Sequence, residues 1–83
     1  MSGTLEPGVA VTLEVDCRGL YCPLPVQQTE RALASLQAGD VVHVRCTDPA
    51  SRVDLAALCA RSGDALLRTE TTDGELRFWI GKR

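Results

Sequence analysis

The pattern of hydrophobic and polar residues has a period of two in some segments, which predicts strands. In other segments it has the period of a helix. Residues 11–15 alternate Val and Leu with Thr and Glu, the period of a strand with one buried face. Over residues 23–37 the apolar side chains recur at helical spacing, as at Val26 and Leu33, with Gln, Glu and Arg between them. Residues 41–47 are rich in β-branched side chains and predict a second, more deeply buried strand.

A second helix is predicted to follow directly. Asp48 and Pro49 form a helix-start signal, because Asp can cap the unpaired N–H groups while Pro occupies the first turn. The apolar stripe over residues 53–60 then ends at Gly63, which is typical of a helix C-terminus.

Two more strands close the chain. Residues 65–72 and 75–80 are joined by Asp73-Gly74, a dipeptide favoured in two-residue type I′ hairpins. Alternation in the last strand predicts that one face of the sheet is buried and the other largely open to solvent. The predicted fold class is an α/β two-layer sandwich, ordered βαβαββ, with a four-stranded mixed sheet and two helices packed on one face.

Length and composition limit how many domains the chain can form and which classes of partner it can bind. With 83 residues, the chain is one small domain; we expect residues 1–10 to be mobile and residues 11–83 to form the domain. The net charge is −2 and the basic residues are scattered, which argues against direct binding of nucleic acid. The chain shows no secretory signal or bilayer-spanning segment, so we expect a cytoplasmic protein without a membrane partner. In that reducing setting its four cysteines are expected to be free, reactive or metal-bound.

The tetrapeptide Cys22-Pro23-Leu24-Pro25 places a thiol at the junction between the first strand and the first helix. Helix N-termini favour the thiolate, so we predict that Cys22 is exposed and has a lowered pKa. The alternative is that Cys-Pro only begins a helix and that the thiol is an inert small side chain.

If the first two strands are parallel, their carboxyl ends meet at one edge of the sheet. That edge would collect Cys17, Arg18, Cys22, Cys46 and Asp48. Cys17 could close a disulfide with Cys22, or it could be only a small residue at a strand end. Asp48 is interpreted chiefly as a structural cap.

For the remaining cysteines and the histidine, the sequence favours structural roles over chemical ones. Cys46 and Cys59 fall on a strand and on a helix stripe, where buried cysteine is common. A zinc site is not expected, because only Cys17 and Cys22 are close in sequence and His43 is the single histidine. From its alternation with Val neighbours, His43 is predicted to face solvent.

The segment 16–25, DCRGLYCPLP, resembles the TusA (SirA-like) sulfur carrier family, as do Asp48-Pro49-Ala50 and Asp73-Gly74. The resemblance runs from about residue 13 to residue 82. Its centre is the motif Asp-x-x-Gly-x-x-Cys-Pro-x-Pro, which is far more specific than an isolated Cys-Pro. Two positions depart from the family pattern: Thr47 stands where a second acidic residue is frequent, and Gly63-Asp64 where Gly-His is frequent.

The resemblance implies that Cys22 accepts sulfane sulfur as a persulfide and relays it to an acceptor protein. Donors in the family are cysteine desulfurases or rhodanese-like proteins. Acceptors include DsrE-like (TusD-like) proteins serving tRNA thiolation, cofactor biosynthesis or sulfur oxidation. Such a protein needs no cofactor or metal and acts as a carrier more than as a stand-alone enzyme. The residues expected to support Cys22 are Asp16, Gly19, Pro23, Pro25 and Asp48.

The sequence is also compatible with a function of another class. The chain could be a redox-responsive regulatory or binding module that uses a Cys17–Cys22 disulfide. The two functions differ in whether Cys17 takes part.

Overall fold

The computed structural model describes residues 10–83, so the expected mobility of the first ten residues lies almost wholly outside the described part. Six elements follow one another in the predicted order βαβαββ. They are β1 (Leu13–Cys17), α1 (Leu24–Ala34), β2 (Val41–Cys46), α2 (Ser51–Ser62), β3 (Ala65–Thr72) and β4 (Glu75–Gly81). Boundaries shift most at β1, which begins and ends two residues later than its alternation indicates, and at α1, which ends three residues early.

All four strands form one mixed sheet in the order β1-β2-β4-β3. Strands β1 and β2 are parallel, with Cys17 beside Cys46 in register, and the other two pairs are antiparallel. The β3–β4 hairpin turns at Asp73 and Gly74, whose φ angles of 51° and 78° are the positive values that a type I′ turn requires. The predicted hairpin and mixed sheet are therefore confirmed.

One face of the sheet carries both helices and the hydrophobic core. Leu33 of α1 and Leu55 of α2 pack with alternate strand residues such as Val44 and Phe78. This is the expected two-layer arrangement, in which one stripe of each helix covers one sheet face. Among residues 10–83, no helix is both long enough and apolar enough to cross a bilayer.

The opposite face of the sheet differs from the prediction of an open surface. Trp79 is only 1% exposed and His43, predicted to face solvent, is only 4% exposed. Their rings stack with centroids 4.4 Å apart, and the guanidinium of Arg68 lies over the indole. The alternation of side chains along β2 and β4 correctly predicted that His43 and Trp79 lie on this face. It could not predict that the two residues are neighbours across the paired strands and bury each other by stacking.

Candidate functional site

The turn between β1 and α1 is held at both of its ends. Gly19 has a φ of 80°, a left-handed conformation that glycine adopts without a steric penalty. Its N–H donates to Oγ1 of Thr47 at 2.9 Å, which ties the turn to the chain that leaves β2. The Leu20 N–H donates to the Cys17 carbonyl at 3.1 Å, so the chain reverses directly after the strand.

Asp16 and Arg18 brace the start of this turn. The Asp16 carboxylate accepts the backbone N–H of Arg18 at 3.0 Å and two guanidinium N–H groups at 2.9 and 2.8 Å. These hydrogen bonds hold the pKa of Asp16 well below its usual range. Arg18 is thus engaged by Asp16, two residues from it in sequence, and Asp16 organises the start of the turn.

Asp48 joins the thiol turn to the loop before α2. Its Oδ2 accepts the Cys22 N–H at 2.9 Å, and its Oδ1 accepts the Ala50 N–H at 3.0 Å. The N-cap residue of α2 is Ala50, and its N–H is held by the Asp48 carboxylate two residues earlier, in keeping with a structural role for Asp48 at the start of the helix. Because the same carboxylate also reaches across to Cys22, Asp48 fixes the backbone of the thiol residue against the second helix.

Two prolines set the start of α1. Pro23 occupies the N-cap position and follows Cys22 through a cis peptide bond. Pro25 is fully buried in the first turn, where its missing N–H costs no intrahelical hydrogen bond. Cys22 therefore precedes the helix immediately and is exposed, as the tetrapeptide predicts.

The ionisation of Cys22 differs from the prediction. The Asp54 carboxylate, as a hydrogen-bond acceptor, is the largest cause that raises the pKa of the Cys22 thiol, and desolvation and the negative charges of Asp54 and Asp48 raise it further. The expected lowering rested on the end of α1 alone. It did not take into account the acidic residues Asp48 and Asp54, which raise the pKa of Cys22.

Cys17 lies in a different environment from Cys22. Its side chain is fully buried in the core, beside Cys46, its neighbour across the parallel strands. Burial raises the pKa of Cys17 and raises that of Cys46 to about 12, so both remain thiols at neutral pH. Because Cys17 points into the core while Cys22 is exposed, the Cys17–Cys22 disulfide module is not supported. Cys46 and Cys59 are buried, as predicted.

Three large apolar side chains are exposed on the thiol turn and on the first turn of α2. Tyr21 and Leu24 are 67% and 43% exposed and flank Cys22-Pro23 in sequence, and Val53, next to Asp54, is 71% exposed. Large apolar side chains exposed together around a nucleophile are typical of a surface that docks a protein. The sequence analysis placed Val53 in the apolar stripe of the second helix, whereas the structure leaves Val53 exposed. Asp54, next to it in the first turn of α2, was not considered.

A shallow hollow of about 390 Å³ lies at the same end of the sheet. Its lining residues belong to the β2–α2 loop, the first turn of α2 and the β3–β4 hairpin, where Arg52 donates to Oγ1 of Thr71 at 2.9 Å. The hollow lies beside the thiol turn and does not enclose it. Cys22 is not among the residues that line this hollow, and it is exposed.

Comparisons with known proteins match this geometry. A family model described as "Sulfurtransferase TusA" matches residues 13–82. A "Sulfur carrier protein TusA" of Allochromatium vinosum is 36% identical over 69 residues, covering 83% of this chain and 91% of that protein. A protein of the same name from Pseudomonas syringae pv. syringae is 34% identical over 83 residues, covering 100% of this chain and 98% of its own length.

A solved structure shows the same architecture. The crystal structure of a SirA-like protein from Desulfitobacterium hafniense superposes with a TM-score of 0.76 at 31% sequence identity, covering 83% of this chain and 95% of that one. Its likeness extends over the βαβαββ order and over both helices. From the matched family model, the relatives and the shared fold, the chain belongs to the TusA family.

Proposed function

We propose that this protein is a sulfur carrier that accepts sulfane sulfur as a persulfide on Cys22 and hands it to an acceptor protein. The observation that carries the proposal is that Cys22 alone among the four cysteines is exposed. The relatives named as sulfur carrier proteins support the role. Asp16, Gly19, Pro23, Pro25 and Asp48 support the thiol by holding its turn in place.

The proposed transfer is a thiol exchange without net oxidation. The Cys22 thiolate attacks the terminal sulfur of a donor persulfide, and a bond forms between Cys22 Sγ and that sulfur. The sulfur–sulfur bond of the donor breaks, and its electron pair leaves on the donor cysteine, which takes up the proton lost by Cys22. The reverse sequence passes the sulfur from Cys22 to the acceptor thiol. Persulfide exchange of this kind requires accessible sulfur atoms more than an enclosed cavity.

Partner proteins follow from a carrier role. We propose a cysteine desulfurase or rhodanese-like protein as donor and a DsrE-like (TusD-like) protein as acceptor, in the cytoplasm. Tyr21, Leu24 and Val53 supply apolar area around Cys22 on which such proteins can dock.

Mass spectrometry of the intact protein tests this function. After incubation with a cysteine desulfurase and cysteine, the wild-type chain should gain one sulfur atom, removable by a reductant. Cys22→Ser should gain none, because the attacking sulfur is absent, whereas Cys17→Ser should load as wild type does. Equal loading of wild type and Cys22→Ser would contradict the proposal.

A further inference from the structure

The hollow at the thiol end of the sheet is joined to the thiol turn by hydrogen bonds. Thr47 and Pro49, which line the hollow, flank Asp48 in the β2–α2 loop. Oγ1 of Thr47 accepts the Gly19 N–H at 2.9 Å, and Oδ2 of Asp48 accepts the Cys22 N–H at 2.9 Å. The rim of the hollow and the backbone of the thiol residue therefore belong to one hydrogen-bonded frame.

Arg52, in the first turn of α2, is the charged residue among the described residues that line the hollow. Its Nη2 donates to Oγ1 of Thr71 at 2.9 Å. No carboxylate of residues 10–83 forms an ion pair with it, whereas Arg18 and Arg45 each pair with one. Because a guanidinium carries five N–H donors, most of the donors of Arg52 are left for a ligand.

The lining of the hollow suits a carboxylate side chain. Leu76, only 6% exposed, and Pro49 supply apolar surface, and Thr47 and Thr71 supply hydroxyl groups. A carboxylate set beside Arg52 can accept two parallel N–H···O hydrogen bonds, the strongest arrangement for this pair of groups. The volume of about 390 Å³ has room for an Asp or Glu side chain.

A protein that reaches Cys22 also covers this hollow. A typical interface buries about 800 Å² on each partner, a patch roughly 30 Å across. The longest dimension of this chain is 29 Å. Because Cys22 is hydrogen-bonded to the loop that forms the rim, a docked protein of ordinary size contacts both the thiol and the hollow.

We propose that the protein which donates sulfur to Cys22 seats an Asp or Glu side chain in this hollow, paired with Arg52. This inference rests on the proposed carrier function. The exposed side chains of Tyr21, Leu24 and Val53 supply apolar contact, and Arg52, adjacent to Val53 in sequence, supplies the charge that selects an acidic surface. Arg52 is thus a specificity-determining residue for the protein donor.

Steady-state sulfur loading tests this docking role. A cysteine desulfurase with cysteine loads wild type and Arg52→Gln, and intact-mass spectrometry follows the sulfur gained. Arg52→Gln should raise the Michaelis constant for the carrier by about threefold or more, as for loss of an exposed ion pair, with kcat nearly unchanged. Added NaCl should raise the Michaelis constant of wild type more steeply than that of Arg52→Gln, because salt screens the pair.

Two further positions supply matched variants. Thr71→Glu puts a carboxylate in place of the hydroxyl that accepts the Arg52 N–H, so it competes with the carboxylate of the donor and should raise the Michaelis constant. Thr71→Gln has the same size without the charge and should load nearly as wild type does. Arg31→Gln removes an exposed cation from the last turn of α1 and should leave the Michaelis constant unchanged.

Iodoacetamide alkylation of Cys22 separates docking from an effect on the thiol itself. The reagent is small and uncharged, so it should react equally fast with wild type and Arg52→Gln. Alkylation slowed as much as loading would overturn the docking role, and so would equal Michaelis constants in wild type, Arg52→Gln and Thr71→Glu. A wild-type chain that gains no sulfur from the desulfurase would instead contradict the carrier function, and the docking role with it.

Discussion

Two regions of the molecule differ in how far their polar side chains are exposed. They are the end of the sheet that bears Cys22 and the sheet face without helices. At the thiol end, the side chain of Cys22 is exposed and is acted on by Asp48 and Asp54. On the helix-free face, His43 and Trp79 are almost fully buried against each other. The first region leaves a thiol exposed to solvent, whereas the second removes two aromatic rings from water.

The difference shows that chemical character alone does not identify a functional residue. His43 is the single residue whose ordinary pKa lies near neutrality, yet it is buried, with Nδ1 at 3.2 Å from Oε2 of Glu14. Cys17 is a thiol five residues from Cys22, yet it is part of the core. Exposure separates Cys22, for which we propose a chemical role, from these two buried groups.

The largest expected contrast concerns one aromatic residue in each region. Trp79→Ala should lower the free energy of unfolding by about 3–5 kcal/mol, because it removes a large buried side chain and leaves a cavity. Tyr21→Ala, at the exposed thiol end, should change it by less than about 0.5 kcal/mol. Urea denaturation measures both. Similar losses in the two variants would contradict the distinction between the regions.

A smaller contrast is expected between the two thiols nearest the junction. Cys17→Ser places a hydroxyl in the core and should lower the free energy of unfolding by about 1–3 kcal/mol. Cys22→Ser should leave the urea midpoint unchanged, because the side chain is exposed. A destabilised Cys22→Ser protein together with an unaffected Cys17→Ser protein would reverse our assignment of structural and chemical roles.

The smallest effect concerns the pH dependence of the helix-free face. Burial lowers the pKa of His43 from its ordinary value of 6.5, against the opposing charge of Glu14. The unfolded chain therefore binds more protons, so this contribution to stability is present above the unfolded pKa and is lost as pH falls from there through the folded pKa.

Urea midpoints measured above and below that range check this dependence. The wild-type midpoint should fall more on acidification than that of His43→Gln, which cannot titrate. Equal falls in the two proteins would show that His43 does not couple folding to protons.

Much of the fold could be predicted because its signals are local. The period of two in β4, the helical stripe of α1 and the Asp73-Gly74 turn each depend on neighbours within a few residues. The exposed Cys22 could be predicted for the same reason, since Pro23 and Pro25 place it just before a helix. The precise ends of β1 and α1 could not, because hydrogen-bond partners on other elements determine where pairing stops.

By itself, the sequence determined the order of the elements, the mixed sheet and the position of a thiol at the first strand-to-helix junction. Only the tertiary structure decided that Asp48 joins the thiol residue to the start of α2, that Cys17 turns into the core and that His43 is buried beside Trp79. These outcomes depend on which distant residues the sheet register and helix packing bring together. Burial and charge, which set the pKa of each group, are properties of that assembled environment and not of the residue type.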